Sequence, residues 1–271
     1  MSQPPGRDGP APAAPGAAFA PAVPGWRHGL GRLRDAVRQE VVRRQLAGLP
    51  QLARPARVLD AGCGQGTQLL HLARAGHQVT GLDTSAELLA ACAADLAAEP
   101  PEVAARVTLT EGPAQQAARL APGPFDLVAC HGVLMYAADD GPLLRALAAV
   151  AAPGAAISLL VRNGLALALR PGLAGDGRAA LAAFGGREYV NRLGLAARAH
   201  APADLDAVLG PLGWRRTAWY GVRVFTDHRD EPAPDPAVLA PLLDAEEEAG
   251  RRDPYRRVAA LSHLVYGRVE S

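Results

Sequence analysis

VLDAGCGQG, residues 58–66, is a short apolar run that breaks into glycines at 62, 64 and 66. Such a run is a strand passing through a tight turn into a helix, because glycine lets the backbone take left-handed conformations and approach a ligand closely. The spacing is GxGxG, not the GxGxxG of a nicotinamide dinucleotide site. Asp60 stands two residues before the first glycine. A carboxylate there repels a pyrophosphate and attracts a ligand ammonium, directly or through water.

Outward from this loop the chain alternates. RVLDA is a strand, GTQLLHLARAG a helix, HQVTGLD a strand, SAELLAACAADLA a helix, and RVTLTE and FDLVACH are further strands. PLLRALAAVAAPG is a helix expected to end at its proline and glycine, and GAAISLLV is a continuous apolar run suited to a strand buried on both faces. Before the first strand, Leu33, Val37, Val41 and Leu46 share one face of a helix beginning at Arg32. Residues 163–200 are irregular and read as an insertion. PADLDAVLGPLGW is a helix ending at Gly213, and the strands WRRTAWYGVRVF and HLVYGR flank a helix from about Pro236 to Gly250. The expected fold is α/β and Rossmann-like, a seven-stranded mostly parallel sheet ending in one antiparallel strand, with helices on both faces.

Composition bounds the function. A chain of 271 residues with 49% hydrophobic content can bury a full core, and one domain over 26–271 is expected behind a disordered Pro/Ala/Gly-rich tail at 1–25. The 28 basic residues, all arginine, balance 27 acidic ones, so anion or nucleic-acid binding must come from a local patch. Cys63, Cys92 and Cys130 lack disulfide or zinc spacing and read as reduced cytoplasmic thiols. The seven histidines are scattered, so no metal is expected, and no stretch reads as a signal or membrane segment.

Asp83 ends the second strand 19 residues after Gly64, where an acidic side chain accepts hydrogen bonds from both ribose hydroxyls of a nucleoside. Together these residues resemble the class I S-adenosylmethionine-dependent methyltransferases over residues 32–165. The resemblance implies S-adenosyl-L-methionine as cofactor, whose ammonium suits Asp60. It implies a cofactor site of Arg34, Asp60, Gly62, Cys63, Gly64, Gly66, Asp83, Ala114, Gln115 and His131. For several of these a plainer role stays open: a helix cap for the aspartates, a helix start for Ala114 and Gln115, a structural histidine for His131, and an exposed helix arginine for Arg34.

The C-terminal half carries LGWRRTAWYGVRVFTDHRD and RRDPYRRVAALSHLVYGR. Gly213, Trp214, Gly221 to Phe225, Asp227 and Asp253 to Tyr255 resemble the tRNA 5-carboxymethoxyuridine methyltransferases. That family esterifies the carboxylate of a modified wobble uridine. A carboxylate is already a nucleophile at neutral pH, so this chemistry needs no general base. Arg223 is the candidate carboxylate clamp, or else a salt-bridge partner of Asp227. Tyr136, Arg162 and Asn163 are further substrate candidates, and Arg187, Arg192 and Arg198 form a modest phosphate-binding patch expected to face the cofactor mouth. The acceptor stays open between tRNA and a small metabolite under a lid formed by the insertion. A non-catalytic cofactor- or partner-binding module is the third possibility, and oligomeric state is not readable.

Overall fold

The computed structural model describes residues 31–269, so the tail assigned to 1–25 lies outside the described residues. Seven helices of eight residues or more occur among the described residues: α1 Leu33–Ala47, α2 Thr67–Arg74, α3 Ala86–Ala97, α4 Asp140–Ala149, α5 Gly177–Phe184, α6 Pro202–Leu209 and α7 Pro236–Arg251. The strands are β1 Arg57–Ala61, β2 Gln78–Asp83, β3 Val107–Glu111, β4 Phe125–His131, β5 Ala151–Arg162, β6 Glu188–Val190, β7 Ala196–Arg198, β8 Trp214–Val222 and β9 Leu261–Arg268.

The main sheet has seven strands in the order β3-β2-β1-β4-β5-β9-β8. β1 to β5 pair in parallel, while β9 runs antiparallel to both β5 and β8. The last strand of the chain therefore slots between β5 and β8 and does not lie at the edge. Each face carries its own apolar cluster. Leu33, Val37, Val41, Val58, Leu69 and Val79 lie in one, and Leu59, Leu82, Val128, Leu143, Ile157 and Trp214 in the other. Neighbouring residues Val58 and Leu59 fall in opposite clusters, as the two-residue period of a strand demands. Helices must cover both faces of such a sheet, which is why its central strands are almost uniformly apolar.

The structure corrects the sequence expectation in three places. The helix expected to reach Pro153 and Gly154 stops at Ala149, and both residues lie on the exposed first part of β5. Proline is tolerated at such a strand start, and Gly154 takes φ +74°. The strand read as running to Phe225 ends at Val222, because Arg223 adopts φ +60° and breaks the ladder. Residues 163–200 are not irregular: they contain a short helix at Leu169–Leu173, then α5, then the antiparallel hairpin of β6 and β7. Asn191 shapes that hairpin turn, its Oδ1 accepting from the amides of Leu193 and Leu195.

Strand order reverses between β1 and β4, and ligands in open α/β sheets bind in the crevice that this reversal leaves at the carboxyl ends of the strands. A cavity of about 270 Å³ opens there.

Candidate active site

The glycine loop between β1 and α2 is built for close approach. Gly62, Gly64 and Gly66 take φ +82°, +55° and +85°. A Cβ on Gly62 would lie 2.1 Å from Val133 Cγ2, and one on Gly66 2.3 Å from Cys92 Sγ, whereas one on Gly64 would meet only Leu88 at 3.9 Å. The outer glycines are thus closed by protein, and the face of Gly64 is left open to the cavity. Asp83 braces the loop: its Oδ2 accepts from the Gly64 amide at 2.8 Å and its Oδ1 from the Ser85 amide at 2.9 Å. Each oxygen keeps a lone pair for a ribose hydroxyl. Ala114 and Gln115, in the one-turn helix after β3, and Leu88 complete this wall.

Asp60 is 4% exposed and lines a smaller adjoining recess with Cys63, His131 and Arg38. Burial, helped by the nearby Asp83 charge, pushes its pKa up to about 7. A buried carboxylate held this way gains from a cationic ligand group. The open face at Gly64, the paired oxygens of Asp83 and the anionic recess at Asp60 fit a nucleoside carrying an ammonium. S-adenosylmethionine is such a molecule.

The opposite end of the cavity is cationic. Arg34 and Arg38 reach it from α1, Arg162 from the end of β5, Arg170 and Arg192 from the insertion, and Arg223 from the end of β8. Asp227 lies 3.3 Å from both Arg162 and Arg223. Burial works to raise the Asp227 pKa, but Arg223, Arg162 and Arg170 outweigh it and hold the carboxyl below its ordinary range. Among the described residues the Nε atoms of Arg162 and Arg223 are nevertheless buried without a hydrogen-bond partner. Tyr136 and Tyr189 supply hydroxyls. Asn191 donates to the Tyr136 hydroxyl at 2.8 Å, and the Arg162 guanidinium sits 5.8 Å from the Tyr189 ring centre.

Of the residues expected from sequence, the cavity brings together Arg34, Gly62, Gly64, Asp83, Ala114, Gln115, His131, Tyr136, Arg162, Arg192 and Arg223. Asp60 and Cys63 line the recess, and Gly66 sits behind it at the start of α2. Three substrate candidates are placed elsewhere. Asn163 is fully buried and donates to the carbonyls of Arg257 and Ala259, joining β5 to the segment before β9. Arg187 pairs with Asp204 at 2.8 Å and Arg198 with Asp140 at 2.6 Å, so only Arg192 of the expected patch reaches the cavity. Arg223 pairs with Asp227 and also lines the cavity. Sequence reasoning missed Arg38, Arg170, Tyr189 and Asn191, although Arg38 sits one turn beyond Arg34 on the same helix face.

Among the described residues no group of three or more His, Cys, Asp or Glu could hold a metal ion, and no helix is long and apolar enough to cross a membrane.

Residues 58–154 match the family model of the methyltransferase domain. Over 242 residues the chain is 31% identical to the tRNA 5-carboxymethoxyuridine methyltransferase of Escherichia coli, spanning 89% of this chain and 90% of that protein. The chain belongs to that family. It is therefore a class I methyltransferase, an enzyme whose methyl donor is S-adenosylmethionine. The methyltransferase is also 33% identical over 165 residues to a ubiquinone biosynthesis O-methyltransferase of Xanthomonas campestris, covering 60% of this chain and 62% of that one. Among solved structures, magnesium protoporphyrin IX methyltransferase from Synechocystis, with bound S-adenosylhomocysteine, superposes with a TM-score of 0.61 at 19% identity, over 94% of this chain and 97% of that chain. That likeness is one of fold.

Proposed function

We propose that this methyltransferase esterifies the carboxylate of a 5-carboxymethoxyuridine-type wobble nucleotide in tRNA, in the cytoplasm. The observation that carries it is the arginine end of the cavity, where Arg34, Arg162, Arg170, Arg192 and Arg223 line one wall around the carboxylate of Asp227. Several guanidiniums on one wall outnumber the carboxylate among them, so an entering carboxylate is held there by charge-assisted hydrogen bonds. The 31% identity along nearly the whole chain supports the same acceptor.

Bound S-adenosylmethionine supplies an electrophilic methyl group. Asp83 and the Gly64 backbone hold its nucleoside, Asp60 and His131 flank the recess beside the loop, and Arg34 stands at the α1 side of the cavity. The acceptor carboxylate is ionised at neutral pH, so the site contributes orientation and exclusion of water, with no proton to remove. Asp227 tempers the arginines. A fully uncompensated clamp would stabilise the anionic ground state and slow its methylation, whereas guanidiniums shared with Asp227 position the carboxylate and neutralise it less.

A small-molecule acceptor is the second possibility. It is favoured by the insertion covering the cavity with Tyr189, Asn191 and Arg192, and by the pairing of Arg187 and Arg198 with carboxylates, which leaves less charge for a phosphate backbone. The purified protein should be incubated with methyl-labelled S-adenosylmethionine and two host fractions, bulk tRNA and small metabolites. Label recovered from tRNA as a base-labile uridine ester supports the leading proposal; label confined to a metabolite overturns it.

A further inference from the structure

The two C-terminal stretches WRRTAWYGVRVF, residues 214–225, and RRDPYRR, residues 251–257, meet in space beside the cavity. The one-turn helix Tyr255–Val258 packs on β8: a Cβ on Gly221 would lie 2.8 Å from Arg256 Cα, and the Ala260 amide donates to the Arg223 carbonyl at 3.2 Å. Arg223 lines the cavity, so the surface built here starts at its arginine end. Two aromatic rings come first. Phe225 is 42% exposed and Tyr255 47%, and their ring centres stand 6.4 Å apart with the planes at 61°. Rings that meet edge to face leave ring faces open, and large apolar side chains grouped in water mark a contact surface. Glu246 of α7 accepts from the Phe225 amide, so this platform sits on a fixed backbone.

Next to the rings lies a cationic cluster. The guanidiniums of Arg216, Arg256 and Arg257 stand 5.4, 4.6 and 5.5 Å from the centre of the Trp219 ring, and that ring is fixed by its Nε1 donating to Ser262 Oγ at 3.3 Å. Residues three apart on a regular strand point to opposite faces, but the register of β8 shifts between Arg216 and Ala218, which puts Arg216 and Trp219 on one side. Asp206 holds Arg216 at 3.1 Å, while Arg256 at 2.8 Å and Arg257 at 3.3 Å share Asp253. Three guanidiniums against two carboxylates leave this group positive. The ring and the carboxylates already order the three side chains, so little freedom is lost when an anion binds them.

We propose that this strip, from Phe225 and Tyr255 to the arginines around Trp219, docks the single-stranded RNA that flanks the methyl-acceptor nucleotide, the two rings stacking bases and the arginines binding backbone phosphates. It rests on the tRNA reading of the acceptor. Open aromatic faces beside an ordered positive group fit a polymer that carries a flat base and a phosphate in every unit. An acidic peptide would engage the arginines and leave both rings in water.

The test titrates the full chain with an unmodified RNA hairpin of anticodon-arm size, by fluorescence anisotropy over a salt series, with a polyglutamate peptide as the rival partner. The double variant Phe225→Ala/Tyr255→Ala should bind the hairpin about tenfold or more weakly at unchanged salt dependence, because base stacking is uncharged. Arg257→Gln should weaken binding and lower the slope of log Kd against log salt by about 0.7, the share of one phosphate contact on a single strand. Both variants should keep the wild-type melting temperature and S-adenosylhomocysteine affinity, which a general loss of structure would change. Wild-type hairpin affinity in both variants overturns the strip, and so does tighter binding of polyglutamate than of the hairpin. Arg257→Gln decides alone if the double variant fails to fold. If methyl label enters tRNA while both variants keep the wild-type KM, the acceptor stands and the strip falls; if the wild type binds no hairpin and labels only metabolites, both fall.

Discussion

At Asp60 burial opposes function. The folded pKa of about 7 lies above the ordinary carboxylate value, so the stability this residue contributes is present below the unfolded pKa and lost as pH rises through about 7. At pH 8 its buried charge costs the empty protein on the order of 4 kcal/mol. Asp60→Asn should therefore melt several degrees above the wild type at pH 8, with the advantage shrinking toward pH 5; melts at both values check this. The same variant should bind S-adenosylhomocysteine more weakly, and the wild type's affinity should rise from pH 6 to 8 with proton release that calorimetry detects. Arg223 repeats the pattern through its backbone. A non-glycine residue at φ +60° is strained, by ~1 kcal/mol or more, and such strain persists only where the surroundings impose it. Arg223→Gly should hold or raise stability while raising the acceptor KM, and Arg223→Lys should raise KM too, because lysine lacks the two-pronged geometry. Steady-state kinetics beside a thermal melt separate the two effects.

At the scale of elements, the strap after β8 and the insertion assemble the arginine end of the cavity. Glu246 of α7 is fully buried and accepts from the amides of Val224 and Phe225 at 2.6 and 3.0 Å and from the Thr226 hydroxyl at 2.7 Å. These bonds hold the turn that carries Arg223 and Asp227. Glu246→Ala strands three donors and should cost ~3 kcal/mol or more, measured by denaturant unfolding. Helix α7 reaches this strand because Gly250 and Gly221 touch: a Cβ on Gly250 would lie 2.3 Å from the Gly221 carbonyl oxygen. On the other side the β6–β7 hairpin brings Tyr189 and Asn191 over the cavity. Tyr189→Ala should raise the acceptor KM severalfold and leave the S-adenosylhomocysteine Kd unchanged, since the ring stacks near Arg162 and not near the glycine loop. Equal losses in both constants would place the hairpin over the cofactor instead.

Across the whole molecule, a polar thread from Gln45 through His263 and Ser158 to His131 runs through an apolar sheet. Its two histidines have depressed folded pKa values, so the stability they contribute is present above about 6.5 and lost as pH falls toward the folded value, about 3 for His263. Each histidine tilts stability by at most ~1.4 kcal/mol per pH unit in that window, while Asp60 works the other way. Unfolding free energy should accordingly fall as pH drops from 7 to 5, and His263→Gln should flatten that fall whatever its own stability. A slope identical to the wild type's would mean that His263 is protonated in the folded protein.

The chain's local pattern determined the alternating order of strands and helices and the glycine-loop half of the cavity, because that half lies on one contiguous βαβ stretch. Asp60, the glycines and Asp83 sit within 24 residues, so spacing alone brings them to one edge of the sheet. The insertion's helices and hairpin escaped that pattern. Their elements are short, and in the second helix Leu181 and Phe184 stay exposed, leaving no clean buried face to read. The convergence of the cavity's arginine end was decided by tertiary structure. Arg34, Arg162, Arg170, Arg192 and Arg223 come from four separate regions and converge through long-range packing. In a chain whose every basic residue is arginine, composition and periodicity mark none of those five; family resemblance named Arg34, Arg162, Arg192 and Arg223, but with them Arg187 and Arg198, which the structure places elsewhere, and it missed Arg170. Which arginines meet a carboxylate and which face the cavity depends on partners far along the chain: Asp204 for Arg187, Asp140 for Arg198 and Asp227 for Arg162. Pairings at such separation are set by how the elements dock, and no local periodicity records them.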